Sequence, residues 1–187
     1  MPKNNLSITK IKQNLKTYNQ GELIAIIADC YKLSDTVKKY FDMLFDSENA
    51  ANKLIEETKA AILKEFFPAH GFGKLRLAQA KKAITEFNKL SNDKVKSIDL
   101  MLYYVELGVD FTNTYGDISE AFYNSMESMY MNVIKKLTSE NESGLYLQFK
   151  ERLHAIVTNT SGIGWGFQDN LLDIYCGLQE QLGVFED

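Results

Sequence analysis

The chain has 187 residues, 45% of them hydrophobic and 25% charged, with a formal net charge of −4. That is globular composition, and it excludes a disordered or fibrous chain. No run approaches the roughly 20 consecutive apolar residues that cross a bilayer, and the opening residues lack the apolar core of a secretory leader, so the sequence reads as cytoplasmic with no membrane partner.

Only Pro2 and Pro68 interrupt the backbone's freedom to be helical, and apolar residues recur at spacings of three and four. Ser7 caps a short helix carrying Ile8, Ile11 and Leu15. After a turn at Asn19-Gln20-Gly21, a helix from Glu22 to Lys32 places Leu23, Ile26, Ile27 and Cys30 on one side. Ser34 caps the next, expected to bury Val37, Phe41, Leu44 and Phe45, and a long helix runs over 47–66. Pro68 with Gly71 and Gly73 is the clearest break, an internal boundary at 68–73. Helices follow over 75–90, from Lys94 to about Thr112, over 118–137 with Asp117 as cap, over 145–159, and, after a glycine-rich loop, over 168–182.

About nine helices joined by short turns imply one all-α domain spanning 1–187. Antiparallel pairs can stack as a HEAT- or armadillo-like superhelix or close into a multi-helix bundle. The number of short helices favours the superhelix. Cys30 and Cys176, far apart in apolar helical runs, are expected to be buried free thiols, and with no Cys-x-x-Cys there is neither a zinc ribbon nor a redox pair.

Charge is divided along the chain: 17 Lys+Arg face 11 Asp+Glu up to Lys96, and 4 face 14 from Ser97 onward. Such polarity can orient a protein partner or set two copies head to tail, as a homo-oligomer, and packed helices can also compensate it internally. Within the acidic half, Asp99, Tyr103, Glu106 and Asp110 fall at steps of four, three and four along an otherwise apolar helix. This stripe can line a groove that faces Trp165. There the carboxylates would raise one another's pKa, hold a divalent cation or meet a basic partner. The alternative is a plain solvent-facing edge.

The loops Pro68-Ala69-His70-Gly71-Phe72-Gly73-Lys74 and Gly162-Ile163-Gly164-Trp165-Gly166-Phe167 match neither a phosphate-binding loop nor a dinucleotide fingerprint. Their glycines are expected to relieve backbone strain while Phe72, Trp165 and Phe167 plug the core. Glu151 and His154 have the Glu-x-x-His spacing of di-iron bundles. The second such motif is missing, and the other histidine, His70, sits in a loop, so no metal and no cofactor is expected. No nucleophile motif accompanies either histidine, so no catalytic residue is named. Lys74, Arg76, Lys81 and Lys82 form a basic cluster suited to an anion or a partner surface, with Lys10, Lys12 and Lys16 nearer the start. A pI near 5.3 and only two arginines argue against nucleic acid as that partner.

Four runs together resemble a bacterial family: Glu65-Phe66-Phe67-Pro68 with Gly71-Phe72-Gly73-Lys74, Asp99 to Val109, Phe122-Tyr123-Asn124-Ser125-Met126-Glu127, and Gly162 to Phe167. It is the domain-of-unknown-function family numbered six-one-five-five. The resemblance implies a bacterial cytoplasmic protein and supplies no activity and no site residues. The leading expectation is a non-catalytic, helical-repeat-like interaction module. A small-molecule or divalent-metal protein using the acidic and aromatic groove is the alternative, and weak nucleic-acid binding through the basic half comes third.

Overall fold

Short helices in water need their ends satisfied before packing can hold them, and this chain supplies caps at most starts. Ser7 accepts from the Lys10 amide at the head of α1, Ile8–Leu15. Asn19 and Glu22 form a reciprocal capping box at α2, Gln20–Leu33, so the expected turn is the cap itself. Ser34 caps α3, Asp35–Phe45. Uncapped by any side chain, α5 spans Leu77–Leu90, while Asp93 caps α6, Lys94–Tyr115. Ser119, rather than Asp117, caps α7, Glu120–Thr138, because the Asp117 carboxylate is taken by the Tyr123 hydroxyl at 3.1 Å. The others are α4, Ser47–Phe66, α8, Ser143–Thr158, and α9, Phe167–Leu182. The computed structural model describes residues 6–139 and 143–184, and among these every regular element is an α-helix. The fold is all-α.

The chain forms two compact units, Met1–Ala50 and Ala51–Asp187. The loop over 68–73 lies inside the second.

In the first unit α2 packs on α3, and Phe41 gathers the rings of Tyr31, Tyr40 and Phe45 at centroid distances of 5.7–6.1 Å. No described residue of α1, α2 or α3 is buried. The burial expected of α3 therefore fails: Val37 and Phe41 are half-buried, Leu44 is exposed, and Phe45 is 79% exposed. The physical reason is size. Three short helices enclose too little volume to remove a side chain from water on every side.

The second unit has a dense core. Helix α6 touches α5, α7 and α8, and α7 and α8 each touch α9. The short links make α6/α7 and α8/α9 two helical hairpins, and α6 meets α8 while α7 meets α9, which is how stacked hairpins pack. Twelve of the 22 residues of α6 are buried. Close approach to α7 depends on Gly108, since any Cβ there would run into the Met126 thioether, itself without exposure.

Candidate functional site

Helices α6 and α8 leave between them a cavity of about 460 Å³. Its floor is Leu107, Val109, Ala155 and Ile156, and its polar wall is Tyr103, Glu106, Asp110, Glu151, Arg152 and Asn159. The stripe read from the sequence is thus largely gathered in one place. Steps of three and four keep Tyr103, Glu106 and Asp110 on one side of α6, where Tyr103 and Glu106 are half-buried toward α8 and Asp110 is exposed at the end of the groove.

Arg152 organises the site. Its Nε donates to Glu106 Oε1 at 2.7 Å and one terminal nitrogen to Oε2 at 2.8 Å, a two-pronged grip. The other terminal nitrogen donates to Asp99 Oδ1 at 2.5 Å, and Lys59 of α4 holds Asp99 Oδ2 at 2.8 Å. A chain of alternating charge therefore crosses three helices. Burial alone would raise the Asp99 carboxyl, but the hydrogen bonds from Lys59 and Arg152 outweigh it and hold the group below the usual carboxylate range. Burial works against the Arg152 charge, and Glu106 and Asp99 more than restore it.

Asp110 shares none of this compensation. Burial pushes its carboxyl up, and the neighbouring Glu106 charge adds to the push. Of the raising expected along the stripe, the push on Asp110 is found, and at Asp99 the direction is reversed. A carboxyl whose folded pKa lies above its unfolded value weakens folding at neutral pH, and this penalty vanishes as pH falls through the raised value. Asp110 is exposed and solvent screens most of this penalty, so Asp110→Asn is expected to raise the melting midpoint by no more than about 1 °C at pH 7 and to have no effect once both forms are protonated near pH 3, as a calorimetric pH series would show.

Trp165 stands apart. It lies in the link between α8 and α9 at φ 66°, is 59% exposed, and is not among the residues lining the cavity. Of the three aromatics expected to plug the core, only Phe167 does so; Trp165 and Phe72 are each 59% exposed. Phe72 instead packs at the rim against Phe111 and Tyr115, at 5.2 and 4.7 Å between ring centroids. Both cysteines are free, but they are exposed rather than buried: α2 buries none of its residues, and Cys176 lies off the side of α9 that buries Phe167, Leu171, Tyr175 and Leu178.

Glu151 and His154 face different cavities: Glu151 lines the α6/α8 groove, while His154 lines a separate one with Tyr175 and Cys176. Among the described residues no group of three or more His, Cys, Asp or Glu side chains is placed to hold a metal ion. In the basic cluster, Arg76 grips Glu65 through two bonds of 2.8 and 2.9 Å. Lys82 pairs with Glu86 at 3.7 Å, Lys81 donates to Ser125 Oγ at 3.0 Å, and Lys74 is exposed. Both arginines of the chain are thus engaged by its own glutamates. Sequence reading missed Arg152, the residue on which the groove turns. Its partners lie 46 and 53 residues away, and only the α6/α8 contact brings them together.

A family model described as "Family of unknown function (DUF6155)" matches residues 6–177. No curated protein and no solved structure matches the chain. Among the described residues no helix is long and apolar enough to cross a membrane.

Proposed function

The chain belongs to DUF6155, a family of unknown function, and we propose from its structure that it is a non-catalytic interaction module whose N-terminal unit offers apolar helix faces to a partner protein. One observation carries this reading: α1, α2 and α3 bury none of their residues, while Ile8, Ile11, Ile24, Ile27, Tyr31, Leu33, Leu44 and Phe45 are exposed. Short amphipathic helices draw most of their stability from covering such faces, and exposed apolar surface on this scale marks a contact site. Residues 6–50 carry six Lys and six Asp+Glu, so the contact is apolar and not electrostatically steered. This balance also disfavours nucleic acid as the ligand of this unit. The stacked hairpins of the second unit suit a helical-repeat-like scaffold, and two free, exposed cysteines suit the reducing cytoplasm.

Amide hydrogen exchange on the purified chain, combined with a triple variant, tests this. Amides of α1–α3 are expected to exchange orders of magnitude faster than those of α6 in the isolated chain and to become protected when a partner, or a second copy at high concentration, is bound. The Ile24→Ser, Ile27→Ser, Tyr31→Ser variant is expected to abolish that protection while leaving the melting of the second unit unchanged. Strong protection of α1–α3 in the dilute, monomeric chain would mean that the faces are already covered, and the reading would be wrong.

A further inference from the structure

The second unit carries another cavity, of about 520 Å³, between α5, α6 and α7. Its chemistry is the inverse of the α6/α8 groove. Three ammonium groups line it, Lys81 from α5 and Lys135 and Lys136 from the last turn of α7, together with the amides of Asn88 and Asn132. No carboxylate is among its described lining residues. Ile84, Met101 and Met129, all buried in the core, give it an apolar floor.

One of the three lysines is held from beneath. Lys81 Nζ donates to Ser125 Oγ at 3.0 Å, and Ser125 Oγ shares a 2.8 Å hydrogen bond with the Tyr104 hydroxyl. Tyr104 has no exposure, and burial pushes its phenol up to about 12, so it stays neutral and serves as a fixed dipole. Polar groups taken into a core are costly unless they are fully paired. This chain of three ends on an ammonium at the cavity wall, which among the described residues gives one of its three protons to Ser125. Two more lysines of the cavity lining are carried on a different helix, α7. Three lysines from two helices thus line one cavity above an apolar floor, and an anion with an apolar body complements both features at once.

We propose that this cavity binds a small organic anion, a phosphate monoester or comparable polyvalent acid, with its charge among Lys81, Lys135 and Lys136 and its apolar part on Ile84, Met101 and Met129. Lys81 belongs to the basic cluster legible in the sequence. The other members of that cluster do not line the cavity, and Lys135 and Lys136 join it only through the packing of α7 on α6. Ser125 is then a positioning residue, acting through Lys81.

Calorimetric titration of the full chain with phenyl phosphate and, separately, with inorganic phosphate tests the proposal. Phenyl phosphate is expected to bind at least about tenfold more tightly than inorganic phosphate, because only it reaches the floor. Its affinity is expected to fall steeply with added salt and to drop at least about tenfold in the Lys135→Gln, Lys136→Gln variant, whose changes are on the surface. Lys81→Met, which keeps the stem's packing, is expected to cause a comparable loss, and Lys10→Gln, Lys12→Gln no loss. Absence of phenyl phosphate binding by the wild-type chain at low salt would overturn the proposal. So would an equal loss in the Lys10, Lys12 control, which would mean nonspecific attraction to a basic surface. The test is independent of the N-terminal unit, so the interaction reading can fail while this one stands.

Discussion

Gly73→Ala should lower the unfolding free energy by about 3 kcal/mol or more, one of the two largest single-residue effects expected in this protein. A Cβ at residue 73 would overlap the Phe66 carbonyl oxygen, and it would sit 2.8 Å from the Phe66 carbonyl carbon and 3.0 Å from the Glu65 oxygen. These are backbone atoms in the last turn of α4, and the Phe66 side chain is fully buried against Tyr104, Phe111 and Phe122. Nothing there can swing aside as a flexible side chain could. The loop is further tied by the Leu75 amide donating to the Glu65 carbonyl at 2.9 Å and by the Arg76 grip on the Glu65 carboxylate. A methyl group must therefore either unwind the end of α4 or push the loop off it. Gly71→Ala is the control. Gly71 has φ +77° but open space around its missing Cβ, so it should cost only about 1 kcal/mol. Urea midpoints at constant slope measure both. If the two variants unfold together, the close approach at Gly73 does not govern stability.

The second large effect is expected at Arg152. Arg152→Ala removes a group that pairs with both Asp99 and Glu106, leaving the partly buried Glu106 carboxylate without that pairing and Asp99 with Lys59, a loss of about 2–3 kcal/mol at pH 7. Lysine should recover little of it, because a single ammonium cannot reproduce the fork that spans Glu106 and reaches Asp99. The sign of the pH dependence follows from Asp99. Its folded pKa is depressed, so its contribution is fully present above the unfolded value near 4 and is lost as pH falls through the folded value. Wild-type stability should therefore decline on acidification below about pH 4. The Arg152→Ala protein should decline less steeply, having already lost one of the groups that hold Asp99 ionised. Urea midpoints from pH 7 down to pH 3 would show this, and identical acid slopes would assign the hold on Asp99 to Lys59 alone.

The elements were the legible part of this protein. Ser7 and Ser34 are local signals, and the structure uses them as helix caps. The stripe on α6 was legible for the same reason: helical period alone aligns Tyr103, Glu106 and Asp110. What could not be read is which neighbour that stripe meets. Arg152 looks like any other charge on an amphipathic helix until α8 is laid beside α6. Burial in the first unit departs from the apolar spacing because that spacing shows which face a helix would cover and not whether enough chain is present to cover it. Trp165 departs from a different rule, that large aromatics sit inside. Its backbone at φ 66° belongs to a tight left-handed turn followed by Gly166 at φ 67°, and the ring emerges from that turn outward.

The two outward-facing thiols give the unmodified chain a practical property. Cys30 belongs to the first unit and Cys176 to the second, and both are accessible to thiol-reactive dyes. A donor and an acceptor fluorophore attached there, with no engineered residue, would convert any rearrangement of one unit against the other into a change in energy transfer. The same optical signal can be followed while a partner or a small anion is added.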